Sequence, residues 1–179
     1  MLVDIVGRIG NLQLPVTQPL IPLFECLVNS IESIEDGNVA NGRIDVYLSR
    51  DTTQVSVAGE ECTLTAVRDI TVIDNGAGFN DVNVRAFFLP DSTRKASRGN
   101  KGIGRFTWLK VFDKAGIDST YFDGSWLRRT FAFVKTTEGV ESDKVEATST
   151  TENKTLVTLT GLRPEYEKHF PKSLETIGQ

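Results

Sequence analysis

Two β-prone runs on either side of Asp123-Gly124 constrain the fold more than any other feature of this sequence of 179 residues. The first run ends in Ser-Thr-Tyr-Phe, and the second reads Ser-Trp-Leu-Arg-Arg-Thr-Phe-Ala-Phe-Val-Lys. Asp-Gly between two such runs is typical of the tight turn of a β-hairpin. The runs therefore predict two antiparallel neighbours, and with them a sheet that is at least partly antiparallel.

The remaining predicted elements alternate between helices and strands. Pro22 suits the first position of a helix, and Gly37 suits the position just past its end. Residues 43–49 alternate between apolar and polar side chains, which is typical of a half-buried strand. The other predicted elements are a strand over 62–74, a short helix over 82–88, a polar and basic loop over 89–102, a helix from Gly102 to about Gly116, a strand over 154–162 and the start of a helix over 171–179.

This order of elements predicts an α+β fold. Specifically, we expect an antiparallel or mixed sheet with helices covering one face. No repeat, low-complexity segment or linker divides the chain. Its length corresponds to a single domain.

Charge, hydropathy and cysteine content exclude several classes of protein. Lysine and arginine (20 residues) are outnumbered by aspartate and glutamate (24 residues). This acidic balance argues against direct binding of nucleic acid by this chain. No apolar run approaches the ~18 residues of a transmembrane helix, so no membrane contact is expected. Cys26 and Cys62 are too few for a disulfide framework or a zinc site, and His169 is interpreted as a surface residue. Because the N-terminus also lacks signal-peptide features, we expect a cytoplasmic protein.

The helix predicted over 22–36 carries two stripes of side chains about 100° apart. In the polar stripe, Glu25 and Asn29 are neighbours at i and i+4, and Glu32 follows one turn later. A carboxylate beside a carboxamide can hold a water molecule or Mg²⁺, which prefers oxygen ligands. The alternative is the solvated side of an amphipathic helix. The apolar stripe, which we expect to face the core, consists of Phe24, Leu27, Val28, Ile31 and Ile34.

The β-rich run over 62–74 ends in Asp74-Asn75-Gly76-Ala77-Gly78. Two glycines at this spacing permit left-handed backbone angles and the close approach of a ligand to the main chain. An aspartate at a strand end can accept a hydrogen bond from a ligand amine, such as the exocyclic amino group of adenine. The alternative is an Asx-type turn, because Asp, Asn and Gly are common in turns.

The segment from 94 to 105 is basic and rich in glycine, and no acidic residue occurs from Ser92 to Lys110. Its glycines stand where a loop enters a predicted helix, so backbone N–H groups and the helix dipole can form an anion site there. A basic loop without a ligand is the alternative. The basic residues are Arg94, Lys95, Arg98, Lys101 and Arg105, and the glycines are Gly99, Gly102 and Gly104.

The order of these motifs resembles that of one superfamily. Glu-x-x-x-Asn on a helix, Asp-x-Gly-x-Gly after a strand and Gly-x-x-Gly-x-Gly at the start of a helix follow one another between Glu25 and Gly104. A late strand beginning Lys154-Thr155 adds a fourth motif. Together they resemble the GHKL superfamily of ATP-binding domains, which includes gyrase, the ninety-kilodalton heat-shock chaperones, sensor histidine kinases and MutL. The resemblance spans residues 23–162 and implies the Bergerat fold, an ATP-binding two-layer α/β sandwich with a mixed, mostly antiparallel sheet and helices on one face.

The resemblance also implies a role for each matching residue. Glu25 would be the general base that activates the attacking water, and Asn29 would hold Mg²⁺ against the phosphates. Asp74 would accept a hydrogen bond from the adenine amino group, and Thr155 would support the adenine and its water.

The glycine motifs are implied to surround the nucleotide. Gly76 and Gly78 would leave room for it, and a mobile lid over about 79–101 would close above the phosphates. The residues implied to bind the phosphates are Gly99, Lys101, Gly102, Ile103 and Gly104.

The activity implied by the resemblance is Mg²⁺-dependent hydrolysis of ATP to ADP, coupled to movement of a lid and of a dimer clamp. Glu25 favours the branches containing gyrase, the chaperones and MutL, because histidine kinases typically lack this carboxylate. A nucleotide-gated interaction module with little hydrolysis and a histidine-kinase-type catalytic domain stay open as alternatives.

In the hydrolase branches, a lysine from a following domain commonly reaches the γ-phosphate. These 179 residues contain no second domain that would supply it. We therefore expect the chain to be the N-terminal ATP-binding part of a longer protein, to hydrolyse ATP slowly by itself and to form a homodimer through a nucleotide-dependent clamp.

Overall fold

The computed structural model describes residues 5–50, 66–88 and 104–171. The helices are α1 (Ile5–Asn11), α2 (Ile21–Asp36), α3 (Asp81–Phe88), α4 (Gly104–Val111) and α5 (Pro164–Glu167). The strands are β1 (Ile44–Arg50), β2 (Val67–Asp74), β3 (Phe112–Phe122), β4 (Trp126–Val134), β5 (Val140–Ala147) and β6 (Lys154–Leu162). None of the helices in these three ranges is both long enough and apolar enough to cross a membrane.

The strands form one six-stranded sheet in the order β1-β2-β6-β3-β4-β5. Every pairing between these strands is antiparallel. α2 packs against α4 and β2, and α4 packs against β3 and α1. The predicted α+β sandwich is confirmed, and within the described residues its sheet is antiparallel rather than mixed.

The inner face of the sheet consists of rows of residues that face each other across neighbouring strands. Two rows are apolar and fully buried, and they form the centre of the core together with residues of the helices. The first apolar row is Val72, Val157, Ile117 and Phe131, and the second is Ile70, Leu159, Ala115 and Phe133.

A third row of the inner face is polar. Asp74 on β2 is paired with Thr155 on β6, Thr155 with Ser119 on β3, and Ser119 with Arg129 on β4. All four side chains are buried. We call this set the polar row.

The hairpin predicted from Asp123-Gly124 is confirmed, because β3 and β4 pair from Phe122 and Trp126 onward. Gly124 has a φ of 71°, a left-handed angle that glycine adopts at little cost. The bounds predicted for α2 and for the strand at 154–162 are also close to the observed ones.

The predicted orientation of α2 is wrong. Phe24, Val28 and Ile31 are 46%, 40% and 48% exposed, whereas Leu23, Cys26 and Ser30 face the core. Leu27 and Ile34, the other members of the predicted stripe, are half-buried. The helix turns a partly polar face inward because Ser30 hydrogen-bonds Asp74 on the sheet, a tertiary contact that apolar periodicity does not report.

The helix predicted from Gly102 to about Gly116 ends earlier, at Val111. Phe112 begins β3, in which Ala115, Ile117 and Ser119 alternate toward the inner face. Pairing with both β4 and β6 stabilises this segment as a central strand, so the tertiary context overrides its local helical character.

Three described elements have no counterpart among the sequence predictions, namely α1, β5 and α5. β5 is a mostly polar and exposed edge strand, so it lacks the apolar alternation that reveals a half-buried strand. The loop over 89–102 and the helix over 171–179 lie outside the described residues, except for Pro171.

Candidate functional site

Asp74 is buried at the end of β2, where both of its carboxylate oxygens accept hydrogen bonds. Ser30 Oγ donates to Oδ2 over 2.8 Å, and the backbone N–H of Gly76 donates to Oδ1 over 2.9 Å. Burial raises the pKa of Asp74, although these two bonds act in the opposite direction. A carboxylate has about four lone-pair sites, so the group retains capacity for a further donor.

Thr155 lies directly across from Asp74, and its Oγ1 is 2.8 Å from Oγ of Ser119. Ser119 Oγ also accepts a 2.9 Å hydrogen bond from the backbone N–H of Phe79. The hydroxyl of Ser119 thus joins the strand that carries Thr155 to the segment that leads into α3.

The turn after β2 is held closely by its neighbours. A Cβ atom on Gly76 would lie 2.7 Å from the carbonyl carbon of Ser33 on α2, and the backbone N–H of Ala77 donates to Ser33 O over 3.0 Å. Gly78 has a φ of +73°, and a Cβ there would lie 2.8 Å from Cβ of Tyr121. The two glycines of the motif therefore allow close packing of α2 and β3 around the turn.

Glu25 is half-buried on α2, and its carboxylate contacts Gly104 at the first position of α4. A Cβ atom on Gly104 would collide with this carboxylate. Burial raises the pKa of Glu25, and the nearby charge of Glu32 raises it further. The structure thus places the acidic residue of one motif against the last glycine of another.

The two carboxylates of the site belong to one neighbourhood. The buried thiol of Cys26 has a pKa raised well above its ordinary value, first by burial and then by the charges of Glu25 and Asp74. Asn29 lies one helical turn beyond Glu25 and is half-buried. Within the described ranges, no hydrogen bond engages the Asn29 amide.

The start of α3 is anchored to the sheet. The backbone N–H of Asn83 donates to Asn80 Oδ1 over 3.0 Å, which caps the helix, and Asn83 Nδ2 donates to Gly78 O over 2.7 Å. The ring centroids of Phe79 and Phe87 lie 5.4 Å and 5.7 Å from that of Phe131 in the core. The first part of the predicted lid, through Phe88, is therefore packed against the core.

Arg129 also anchors the start of α3 to the sheet. Its guanidinium donates to Phe79 O over 3.0 Å, to Asp81 Oδ1 over 3.0 Å and to Asp143 Oδ1 over 3.2 Å. It connects the beginning of α3 with β4 and β5. Sequence reasoning singled out none of the residues Ser30, Ser119 and Arg129, since their contacts follow from strand register and helix packing.

Several predicted residues lie outside the described residues: Gly99, Lys101, Gly102 and Ile103. Of the basic segment, Arg105 is described, and its guanidinium lies 5.3 Å from the centroid of the Phe87 ring and 5.0 Å from that of Phe106. This arginine therefore makes cation–π contacts with aromatic side chains.

Histidine, cysteine and acidic side chains in the described part of the chain do not form a cluster of three or more that would hold a metal ion. Asn29 and Glu25 nevertheless offer two oxygen donors one turn apart on α2. Oxygen donors suit Mg²⁺, which usually keeps several waters and takes only one or two protein ligands beside substrate phosphates.

Comparison with solved structures identifies the fold. The ATPase region of Saccharomyces cerevisiae topoisomerase II aligns with 78% of this chain at a TM-score of 0.54 and 14% sequence identity. The same region bound to ICRF-187 (dexrazoxane) aligns with 79% at a TM-score of 0.55 and 13% identity. The aligned part covers 37% of each of those chains. The predicted Bergerat sandwich is confirmed as the fold of this chain.

Comparisons of sequence give no match. No protein-family model matches the chain, and no curated protein matches it. The likeness is therefore one of fold.

Proposed function

We propose that this chain is a Mg²⁺-dependent ATP-binding and ATP-hydrolysing module whose nucleotide cycle drives a conformational switch in a larger protein. The observation that carries the proposal is the convergence of motifs that are far apart in the sequence. Asp74 lies beside Thr155 on neighbouring strands, and Glu25 lies against Gly104. The fold to which these contacts belong is that of a solved ATPase region.

Adenine suits the chemistry of Asp74. An ionised carboxylate only accepts hydrogen bonds, so it favours a base that presents an amino group. Ser30 and Gly76 fix the orientation of the carboxylate, and burial protects it from competition by water. Thr155, directly opposite, would contact the same edge of the base.

Glu25 suits the role of general base. Burial and Glu32 raise its pKa, which makes the ionised carboxylate a stronger proton acceptor than an exposed glutamate. It would take a proton from the water that attacks the γ-phosphate. The N-terminus of α4, beginning at Gly104, would direct backbone N–H groups toward the phosphates.

Asn29 would hold Mg²⁺ through its amide oxygen. When bound, the ion would supply positive charge that neutralises the phosphate oxygens as the transferring bond breaks. Gly76 and Gly78 border the base, and Gly99, Lys101, Gly102 and Ile103 would complete the phosphate site.

Two substitutions test the proposal. In Glu25→Gln, ATP binding should change by less than about threefold, whereas phosphate release should fall by about 100-fold or more, because the proton acceptor is lost. In Asp74→Asn, ATP binding should weaken by more than about tenfold, because the amide presents a donor to the amino group of adenine. Calorimetry with and without Mg²⁺ measures binding, and a phosphate assay measures turnover.

Glu35→Gln is the matched control, because Glu35 lies on the exposed side of the same helix. It should leave both quantities unchanged. ATP binding that is absent in the unaltered chain, or that is insensitive to Asp74→Asn, would contradict the nucleotide site. Equal phosphate release by Glu25→Gln and the unaltered chain would contradict the assignment of the base.

A nucleotide-gated interaction module is the second candidate. The chain spans 37% of the solved ATPase regions, and the resemblance attributes a phosphate-binding lysine to a following domain. Tight ATP binding without measurable phosphate release would favour this candidate. Transfer of labelled phosphate to an acceptor domain would instead favour a histidine-kinase-type activity, which the presence of Glu25 disfavours.

The switch itself is the least constrained part of the proposal. Residues 79–88, the described part of the lid implied over about 79–101, are anchored by Ser119, Arg129 and Phe131, so closure would either break these contacts or leave this part in place. A homodimer clamp, further domains after this one and a cytoplasmic location complete the proposal.

A further inference from the structure

Asn75 stands between Asp74 and Gly76, and the proposed function gives it no role. Its side chain is half-buried, and both ends of its carboxamide bond to the loop that joins α2 to β1. Oδ1 accepts a 2.7 Å hydrogen bond from the backbone N–H of Arg43, and Nδ2 donates to the carbonyl oxygen of Asn41 over 2.9 Å. One side chain thus holds two main-chain groups of this loop.

These two bonds extend the pairing of β1 with β2 by means of a side chain. The last main-chain pair between the two strands is Ile44 with Asp74. Arg43 and Asn75 come next, and here the carboxamide of Asn75 takes the place of a main-chain partner. The main chain after Asn75 is therefore free to leave the direction of β2 and to pack against α2.

Gly76 is held at both its N–H and its carbonyl group. The N–H donates to Asp74 Oδ1 over 2.9 Å, and the carbonyl oxygen accepts a 3.0 Å hydrogen bond from Nδ2 of Asn153. Asn153 is half-buried and directly precedes β6. Because the N–H of Gly76 belongs to the peptide group that begins at Asn75, a fixed Asn75 also fixes the donor that orients Asp74.

We propose that Asn75 is a positioning residue that fixes the direction of the Asp74 carboxylate through Gly76. Asn153 supports the same turn from the side of β6. The inference rests on the proposed function, because the direction of this carboxylate affects binding only if a ligand donates to it. With one oxygen held by Gly76 and the other by Ser30, the carboxylate presents its remaining lone pairs in a fixed direction.

This role requires a carboxamide at position 75. The N–H of Arg43 can only donate and the carbonyl oxygen of Asn41 can only accept, so the side chain between them needs an acceptor and a donor at once. Ionised aspartate has the same size but no donor, and it would place a carboxylate oxygen against Asn41 O. It would also add a negative charge beside Asp74.

Two triphosphates separate the direction of the carboxylate from general affinity: ATP, and purine riboside triphosphate, which lacks the amino group of adenine. The unaltered chain should prefer ATP by roughly 10- to 100-fold, the contribution of one hydrogen bond to a charged group. In Asn75→Ala this preference should fall by about threefold or more, because the acceptor is no longer held toward the amino group. The affinity for the analogue should change by less than about twofold. Calorimetry in the presence of Mg²⁺ measures both affinities.

Two further variants repeat the test in different ways. Asn75→Asp retains the size of the side chain, and Asn153→Ala removes the bond to the carbonyl group of Gly76. Each should lower the preference for ATP by a factor similar to that of Asn75→Ala.

The matched control is Asn41→Ala. The side chain of Asn41 is exposed and makes no hydrogen bond within the described part of the chain. Its carbonyl oxygen, the group to which Asn75 donates, is retained in the variant. Asn41→Ala should therefore leave the preference for ATP unchanged.

Hydrogen exchange tests the turn in the absence of nucleotide. The N–H of Gly76 should exchange about three- to tenfold faster in Asn75→Ala than in the unaltered chain, because the turn opens more readily once its bonds to the α2–β1 loop are lost. Asn41→Ala should not differ from the unaltered chain. Unchanged exchange of Gly76 in Asn75→Ala would overturn the inference.

The binding outcomes distinguish this inference from the proposed function. If the unaltered chain prefers ATP and the Asn75 variants retain the full preference, the inference is wrong. If these variants weaken both triphosphates equally, Asn75 has a structural role alone, and the inference is also wrong. It is wrong as well if the unaltered chain binds both triphosphates equally tightly. If the unaltered chain binds neither of them, the proposed function fails, and the inference fails with it.

Discussion

The polar row and the two apolar rows lie on the same face of the same strands, yet they differ in chemistry. All are buried, and each row crosses β2, β6, β3 and β4 in register. The apolar rows are in the middle of the core, where side-chain burial is the main source of stability. The polar row lies at the end of β2, where each side chain has a fixed hydrogen-bond partner.

The difference indicates how the proposed binding site can be part of a core. Buried polar groups are tolerated when their hydrogen bonds are formed, and their net contribution to stability is then small. A substitution in an apolar row should therefore reduce stability and leave ligand recognition intact. A substitution of Asp74 or Thr155 in the polar row should mainly change recognition.

The largest expected effect is on stability, from Leu159→Ala in the second apolar row. Leu159 is completely buried, so its truncation should lower the free energy of unfolding by about 2–5 kcal/mol. Denaturant unfolding measures this loss, and Leu156→Ala, on the outer face of the same strand, should cost less because Leu156 is half-buried. Below the unfolding transition, ATP affinity should stay within about twofold. A weaker affinity in folded Leu159→Ala would mean that the rows are not separable.

An intermediate effect is expected from Arg129→Met in the polar row. The substitution removes hydrogen bonds to Phe79 O, Asp81 and Asp143 but retains an apolar stem, so unfolding should become easier by about 1–2 kcal/mol. Arg128→Met is the control, because Arg128 pairs with Asp118 at an exposed position and should matter little. Hydrogen exchange should increase in α3 of Arg129→Met. Equal effects of the two variants would contradict the anchoring role of Arg129.

The smallest effect is expected from Asp74→Asn, as a change in the free energy of unfolding. Burial raises the pKa of Asp74 in the folded state, so the folded protein binds this proton more tightly than the unfolded chain does. The corresponding stability is present below the ordinary pKa of 3.8 and is lost as the pH rises through the folded pKa. Asp74→Asn should thus stabilise the protein at neutral pH, by about 1 kcal/mol or less because the amide also loses charge-assisted hydrogen bonds.

The gain in Asp74→Asn should shrink as the solution is acidified. Denaturant unfolding at a series of pH values measures it. A gain that grows toward acid pH would indicate that the carboxylate is stabilised by its surroundings. The polar row would then contribute to stability in the same sense as the apolar rows.

Local signals predicted the elements that local physics determines. Asp123-Gly124 determines its turn because glycine adopts the required φ. Pro22 lies in the first turn of α2, where its missing N–H is not needed. Gly37 directly follows α2 as predicted, although its φ of −79° is one that any residue adopts. The convergence of Asp74 and Thr155 could be expected from the resemblance, which orders the motifs along the chain.

The remaining features depend on contacts between distant residues. The inward face of α2 is set by Ser30 and Asp74, which are 44 positions apart, so periodicity selected the wrong stripe. The contact between Ser119 and Thr155 spans 36 positions and requires the register of β3 against β6. β5 escaped prediction because an exposed edge strand carries few apolar residues.

The contact between Glu25 and Gly104 couples α2 to α4, although Gly104 contributes no side chain to it. Since the carboxylate occupies the space where a Cβ would be, a side chain at position 104 would push the Glu25 carboxylate away from its present place. A shift of the first turn of α4 would consequently displace the carboxylate or release it. The position of the Glu25 carboxylate therefore depends on where α4 begins.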